Sequence, residues 1–143
     1  MRAFVEPLKS LSGFPEMVQA AKKQPGLHSV TGCIDAQKPH MIYACGDGNK
    51  IVVTFHEQKA KEIYEEYRFF DPQAVYYPAK DVLFYQADIR GNVLTAERMR
   101  ALKAIRNREK VTLITTFDAL MNTQAPPAML WAKEIKTRSQ RDI

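Results

Sequence analysis

A chain of 143 residues, 45% apolar and 26% charged, is long enough for one domain with a hydrophobic core and too short for two comfortable ones, and its composition excludes the disordered and collagen-like classes. No apolar run approaches the roughly 18 residues that span a bilayer, and residues 1–7 contain no secretory apolar region, so a cytoplasmic location without membrane contact is expected. The formal net charge of +5 is modest, and basic residues are dispersed except where Arg98, Arg100, Lys103, Arg106, Arg108 and Lys110 outnumber Glu97 and Glu109. With no aromatics interleaved, that stretch is either a phosphate-binding face or an ordinary solvated helix face.

In chain order, Pro15 suits the first turn of a helix whose apolar side is Met17, Val18, Ala20 and Ala21, ended by Gln24-Pro25-Gly26. Residues 27–31 form a short first strand, Gly32 makes a turn, and a helix over about 36–45 carries Met41, Ile42 and Ala44 toward the core. Cys33 and Cys45 flank this helix without zinc or redox spacing and are read as free thiols. The turn cluster Gly46-Asp47-Gly48-Asn49 leads into 50–55, the clearest buried strand of the chain. A helix over 56–69 follows, with Ala60, Ile63, Tyr64 and Tyr67 at helical spacing, and Asp71-Pro72 stops it.

Residues 74–77 are the third strand, and 78–92 an irregular segment containing Val82-Leu83-Phe84-Tyr85. Thr95 caps a helix to about Asn107, on which Leu94, Arg98, Leu102 and Ile105 fall near one face. The fourth strand is 111–115, and Thr116 caps a short helix through Met121. The apolar alternation over 129–135, beyond Pro126-Pro127, reads as the opening strand of a following domain, giving a domain over 1–125 and a linker with a truncated strand over 126–143. Strands alternating with helices predict an α/β fold: a mainly parallel sheet with helices on both faces and its ligand edge at the carboxyl ends of the strands, near Gly32 and Thr54 to His56.

The chemistry-bearing candidate is Gly32-Cys33-Ile34-Asp35-Ala36-Gln37-Lys38-Pro39, which has the frame G-x-x-x-x-G-K-[ST] of a phosphate-binding loop with two positions replaced. Gln37 removes the second glycine, and Pro39 supplies neither the Mg²⁺-binding hydroxyl nor a backbone donor. Thr31, Gly32, Gln37 and Lys38 are thus a vestigial nucleotide site, with no cofactor expected. Lys38 either meets an anion at a helix start or is simply solvated. His28, His40 and His56 are scattered, with no metal-ligand spacing and no sequence sign of a catalytic triad. Arg98, the odd member of an apolar stripe, either pairs with a carboxylate such as Asp81 or Asp88 or packs its stem and turns its head outward. Tyr76, Tyr77, Phe84 and Tyr85 either form a binding patch or pin the long segment to the core, the latter being the commoner fate of large aromatics.

Several segments together carry a resemblance. Val30-Thr31-Gly32, Val53-Thr54-Phe55-His56 followed by Ala60, Ile63-Tyr64-Glu65-Glu66, Phe69-Phe70 and Ala74-Val75-x-Tyr77 resemble the first helicase-like domain of the excision-repair protein UvrB. Tyr77-Pro78-Ala79-x-Asp81-Val82-Leu83-x-Tyr85, then Arg98 and Leu102, then 111–120, are closer to the N-terminal UvrB-homology module of the bacterial transcription-repair coupling factors (Mfd). The likeness covers about 11–130, and its strength lies in the ordered set. It implies a degenerate P-loop, helicase-like domain of the UvrB domain 1a type that recruits UvrA to RNA polymerase stalled at DNA lesions. The UvrA contact would lie mainly in the following domain, with RNA polymerase, DNA, ATP and Mg²⁺ engaged by other parts of an ATP-driven translocase. The loss of the Walker pattern, and a 78–92 segment too short for the DNA-holding hairpin of UvrB, both point to the coupling-factor family and to a module without catalysis. The alternatives are a nucleotide-binding P-loop-like enzyme domain and a basic DNA-binding domain.

Overall fold

The computed structural model describes residues 5–79, 89–107 and 110–121. Three β-rich segments, β1 (Lys50–Thr54), β2 (Val75–Tyr77) and β3 (Thr112–Thr116), make one sheet in the order β1-β3-β2, and both pairs are parallel. The helices among the described residues are α1 (Glu6–Lys9), α2 (Phe14–Lys23), α3 (Lys38–Ala44), α4 (Glu57–Tyr67), α5 (Ile89–Arg106) and α6 (Phe117–Met121). A 3₁₀ turn, Asp35–Gln37, runs into α3.

The register explains the layers. Val52, Ile114 and Tyr76 are partners across the sheet and point to one side, where Ala60, Ile63 and Tyr67 of α4 pack on them with Ile42 and Tyr43 of α3. Leu113 and Val75, one residue back, point to the other side and meet Ala101 and Ala104 of α5 and Ala119 of α6. The spacing of Ala60, Ile63 and Tyr67 is what a helix needs to present one apolar stripe. Helices therefore cover both faces of a parallel sheet, as the alternation of segments predicts.

Every residue of β3 is buried, although three of its five are threonines. Buried hydroxyls need partners, and each has one. Thr112 Oγ1 lies 3.1 Å from the Tyr67 hydroxyl, Thr115 donates to the Tyr77 carbonyl at 2.8 Å, and Thr116 donates to Glu57 Oε1 at 2.8 Å. The hydroxyls thus fix where α4 and β2 sit against the central strand.

The structure departs from the sequence expectation in four places. Residues 27–31 form no strand: Leu27 is fully in solvent and Val30 half exposed, so pairing this segment would order five residues for two apolar side chains. The strand at 50–54, expected to be the most buried, is an edge strand with Ile51 and Val53 exposed, because α5 and α6 lie over β2 and β3. Helix α5 starts at Ile89 rather than at Thr95, so Gly91 and Asn92 are helical; a glycine costs a helix only about 1 kcal/mol, which the continuing turns outweigh. The short helix α1, with Pro7 in its first turn, has no counterpart in the sequence reading. Phe84 and Tyr85, Asp81 and Asp88, and the linker and strand of 126–143 lie outside the described residues.

Ile114, fully buried at the centre of the sheet, sets the scale of core packing. Ile114→Ala is expected to lower unfolding free energy by about 3 kcal/mol, against about 0.5 kcal/mol or less for Ile51→Ala at its exposed edge position, as read by urea denaturation.

Candidate functional site

The degenerate loop follows α2, whose last turn ends at an extended Gln24, and crosses 27–34 without regular structure. Gly32 has φ +75°, a left-handed turn that glycine adopts without strain. Pro39 is buried in the first turn of α3, where its missing N–H leaves no bond unmade. Thr31, Gly32 and Gln37 share a cavity of about 330 Å³ with Phe14 and Met17 of α2, whereas Lys38 lines a separate cleft. Three of the four residues line this cavity together; Lys38 lines the adjoining cleft, which shares Phe14 and Met17 with it.

Lys38 donates to Asp35 Oδ1 at 2.6 Å, and Lys59 of α4 donates to Asp35 Oδ2 at 2.9 Å and to Glu62 at 3.3 Å. One carboxylate from the loop itself thus stands between the two ammonium groups. The hydrogen bond from Lys38, then that from Lys59, holds the Asp35 carboxyl down at about 2. A phosphate approaching Lys38 would have to displace this carboxylate and would meet its charge. Of the two readings for Lys38, neither an awaiting anion nor solvent alone describes it: its partner is internal.

The cleft that Lys38 borders has a volume of about 550 Å³ and runs between α2, α3 and the end of β1. Its walls are mainly apolar, from Met17, Met41, Ile42, Val52 and Ile63, with Thr54 and His56 at the mouth. Val30, Cys33 and Lys38 meet the 54–56 segment here, but Gly32, expected at the carboxyl end of a strand over 27–31, follows no strand and lines the neighbouring cavity instead. His56 is the exposed residue preceding α4; Thr54 Oγ1 donates to its carbonyl at 3.1 Å. His40 instead stacks on Phe70 with ring centroids 5.2 Å apart, and His28 lies 3.4 Å from the Gln24 carbonyl, so the three imidazoles occupy three separate places. Cys33 and Cys45 are free thiols, and Cys33 Sγ lies 3.2 Å from Met41 Sδ.

At the carboxyl edge of the sheet, where an open α/β fold usually meets its ligand, a closed polar network stands. Glu57, in the first turn of α4, accepts from the Tyr76 hydroxyl, from the Ala79 N–H at 2.7 Å and from Thr116 Oγ1 at 2.8 Å. Thr116 Oγ1 in turn accepts from Ala119 N–H at 3.2 Å and so caps α6, as its position before the helix predicts. Burial first, and then the Glu57 carboxylate, push the Tyr76 phenol well above its ordinary value, which keeps it a donor. Beside this group Arg98 is buried: it donates to the Pro78 carbonyl and, at 2.5 Å, to the Tyr77 hydroxyl, with its guanidinium carbon 4.1 Å from the Tyr77 ring centroid.

This resolves two open alternatives. The head of Arg98 does not turn outward; its described partners are a hydroxyl, a carbonyl and a ring face, while Asp81 and Asp88 lie outside the described residues. Tyr76 and Tyr77 are core residues rather than a binding patch. Burial lowers the Arg98 guanidinium from its ordinary value, with Tyr77 and Glu57 opposing, and it stays charged. Arg98 therefore leaves the basic stretch, of which Arg100, Lys103, Arg106 and Lys110 remain exposed.

Glu57 is the residue that the sequence reading passed over. Its signal was a glutamate in a helix's first turn, where the helix dipole favours a negative charge, but nothing local marks it as a triple acceptor. No buried side-chain nitrogen or oxygen among the described residues lacks a partner, so the groups gathered at this edge are engaged by one another.

The Asp35 shift has a definite sign. Its carboxyl is depressed from 3.8 to about 2, so whatever the pairing contributes is present above the unfolded value and is lost as pH falls through about 2. A carbon-detected NMR titration should place the Asp35 midpoint near 2, and Lys38→Met should move it back toward 3.8. Arg98→Met, which keeps the stem and strands the Pro78 carbonyl, is expected to lower stability by about 2 kcal/mol in thermal or urea unfolding.

No protein-family model matches the chain, and no curated protein matches it significantly.

Proposed function

We propose that the chain is the noncatalytic UvrB-homology module of a transcription-repair coupling factor, part of the region that recruits UvrA to RNA polymerase stalled at DNA lesions. The observation that carries the reading is the fate of Lys38. In a loop with glutamine for its second glycine and proline for its Mg²⁺ ligand, the remaining lysine is held by Asp35. That supports a domain kept for its shape and not for phosphate chemistry.

The ordered segments that carry the resemblance add to it. Val53 to His56 joins the end of β1 to α4, and Tyr77 ends β2 beside Arg98, so these pieces converge on one edge of a parallel sheet. On this reading UvrA is met chiefly by the domain that follows, while polymerase and DNA are met by other domains of the parent. The role of the present domain is to hold that neighbour in place.

Calorimetric titration of the chain with ATP and Mg²⁺ is expected to give no saturable heat and no turnover. Micromolar binding with turnover would instead establish the nucleotide-enzyme alternative. In the parent protein, removal of residues 1–143 should weaken capture of UvrA while leaving DNA-stimulated ATP hydrolysis intact; undiminished capture would sink the proposal.

A further inference from the structure

The cleft between α2, α3 and β1 holds more apolar surface than the fold itself covers. Val53 is 47% exposed and Phe55 88%, and both line it together with Phe14, Met17 and Val30. Single exposed apolar residues are ordinary, but several gathered in one concavity mark a place for an occupant. The cleft has a volume of about 550 Å³, and the adjoining cavity of about 330 Å³ shares Phe14, Met17, Val30, Cys33 and Met41 with it. Sites that engulf a small molecule run from about 300 to 1,000 Å³.

We propose that this cleft binds an uncharged aromatic molecule of one or two rings, held by apolar and sulfur contacts, with one polar atom at His56. Met17, Cys33, Met41 and Cys45 all line it, so sulfur is spread along its walls. Thioethers and thiols are polarisable and make favourable contacts with aromatic rings, and the unbranched methionine adjusts to the shape of what it meets. Cys33 Sγ and Met41 Sδ lie 3.2 Å apart, which makes one continuous soft surface where the cleft and the cavity adjoin.

Charge decides against an ionised occupant. The two ammonium groups that line the cleft are both engaged: Asp35 accepts from Lys38 at 2.6 Å and from Lys59 at 2.9 Å, and Glu62 accepts from Lys59 at 3.3 Å. An anion would enter beside the Asp35 charge, and a cation would find no carboxylate among the described residues of the lining. Polar groups at the mouth are few. Thr54 Oγ1 donates to the His56 carbonyl at 3.1 Å, while the exposed His56 ring offers a donor and an acceptor to one polar atom of the occupant. Apolar walls with a few placed polar groups are the ordinary make-up of a small-molecule site. The inference rests on the lining of the cleft and is independent of the function proposed above.

Two dyes that differ by a single charged group test it: N-phenylnaphthylamine, which is uncharged, and anilinonaphthalene sulfonate. Fluorescence titration of the full chain is expected to show saturable, one-site, micromolar binding of the neutral dye and binding of the sulfonate at least about tenfold weaker. Met17→Gln and Met41→Gln should each weaken the neutral dye about tenfold, with the far-ultraviolet circular dichroism unchanged. Both side chains are half-buried and stand on different helices, so one variant keeps the test valid should the other fail to fold. Ile51→Gln, on β1 but outside the lining, should leave binding as it is, and Asp35→Asn should tighten the sulfonate several-fold by releasing both lysines. The proposal is overturned by no saturable binding, by equal affinity for the two dyes, by a sulfonate indifferent to Asp35→Asn, or by methionine variants no weaker than Ile51→Gln. Binding that grows as the protein is diluted also overturns it, since the cleft would then be covered by a second copy.

Discussion

The carboxylate of Glu57 is the point on which the upper half of this structure turns. It belongs to the first turn of α4, yet its three partners come from β2, from the backbone just beyond β2, and from the end of β3. A half-buried carboxylate costs less when its oxygens are satisfied, so each of the three elements favours the placement of the others. The network works as a clasp across the carboxyl edge. Below it Tyr67 performs a similar task with Thr112 near the start of β3, tying the same helix to the same strand at its other end.

The loop at 31–38 shows the same preference for internal partners at the surface. Asp35, Lys38 and Lys59 link the 3₁₀ turn to α4 across a sequence distance that no local helix pair would cover. Exposed pairs of this kind add little to stability, but they occupy the groups that would otherwise recruit an anion. A phosphate loop works by holding donors open toward an absent ligand. Here Lys38 and Lys59 have a carboxylate partner within the chain.

Element types were legible from the sequence because they depend on local pattern. β-branched runs bounded by turn residues located β1, β2 and β3, and three-four spacing located α4. Caps were legible for the same reason, Thr116 being the clearest. The strand order was not, because nothing in Lys50 to Thr54 records that α5 lies over its neighbours and leaves it at the edge. Residues 27–31 had the look of a strand, but Leu27 stands in solvent and Val30 is half exposed, so little apolar burial would offset their ordering. Arg98 was recognised as anomalous, but its partners, Tyr77 and the Pro78 carbonyl, are twenty or so positions distant and are neighbours only after folding. Tertiary placement, unlike periodicity, is not written in any window of the chain.

The position of β3 in the sequence has a further consequence for how the molecule comes into being. The two strands made first never touch each other; each pairs only with the strand made last among those described. During synthesis the chain can form α2 and α4 early, but it can hold none of the described strand pairings until Thr112 to Thr116 has emerged. Until then β1 and β2 present both edges, and Tyr76 and Val52 lack the isoleucine that later lies between them. Pairings over such long sequence separations are slow to close and expose strand edges while they wait. The burden of assembly therefore falls on one late, threonine-rich strand, whose hydroxyls give it solubility before insertion and partners after it.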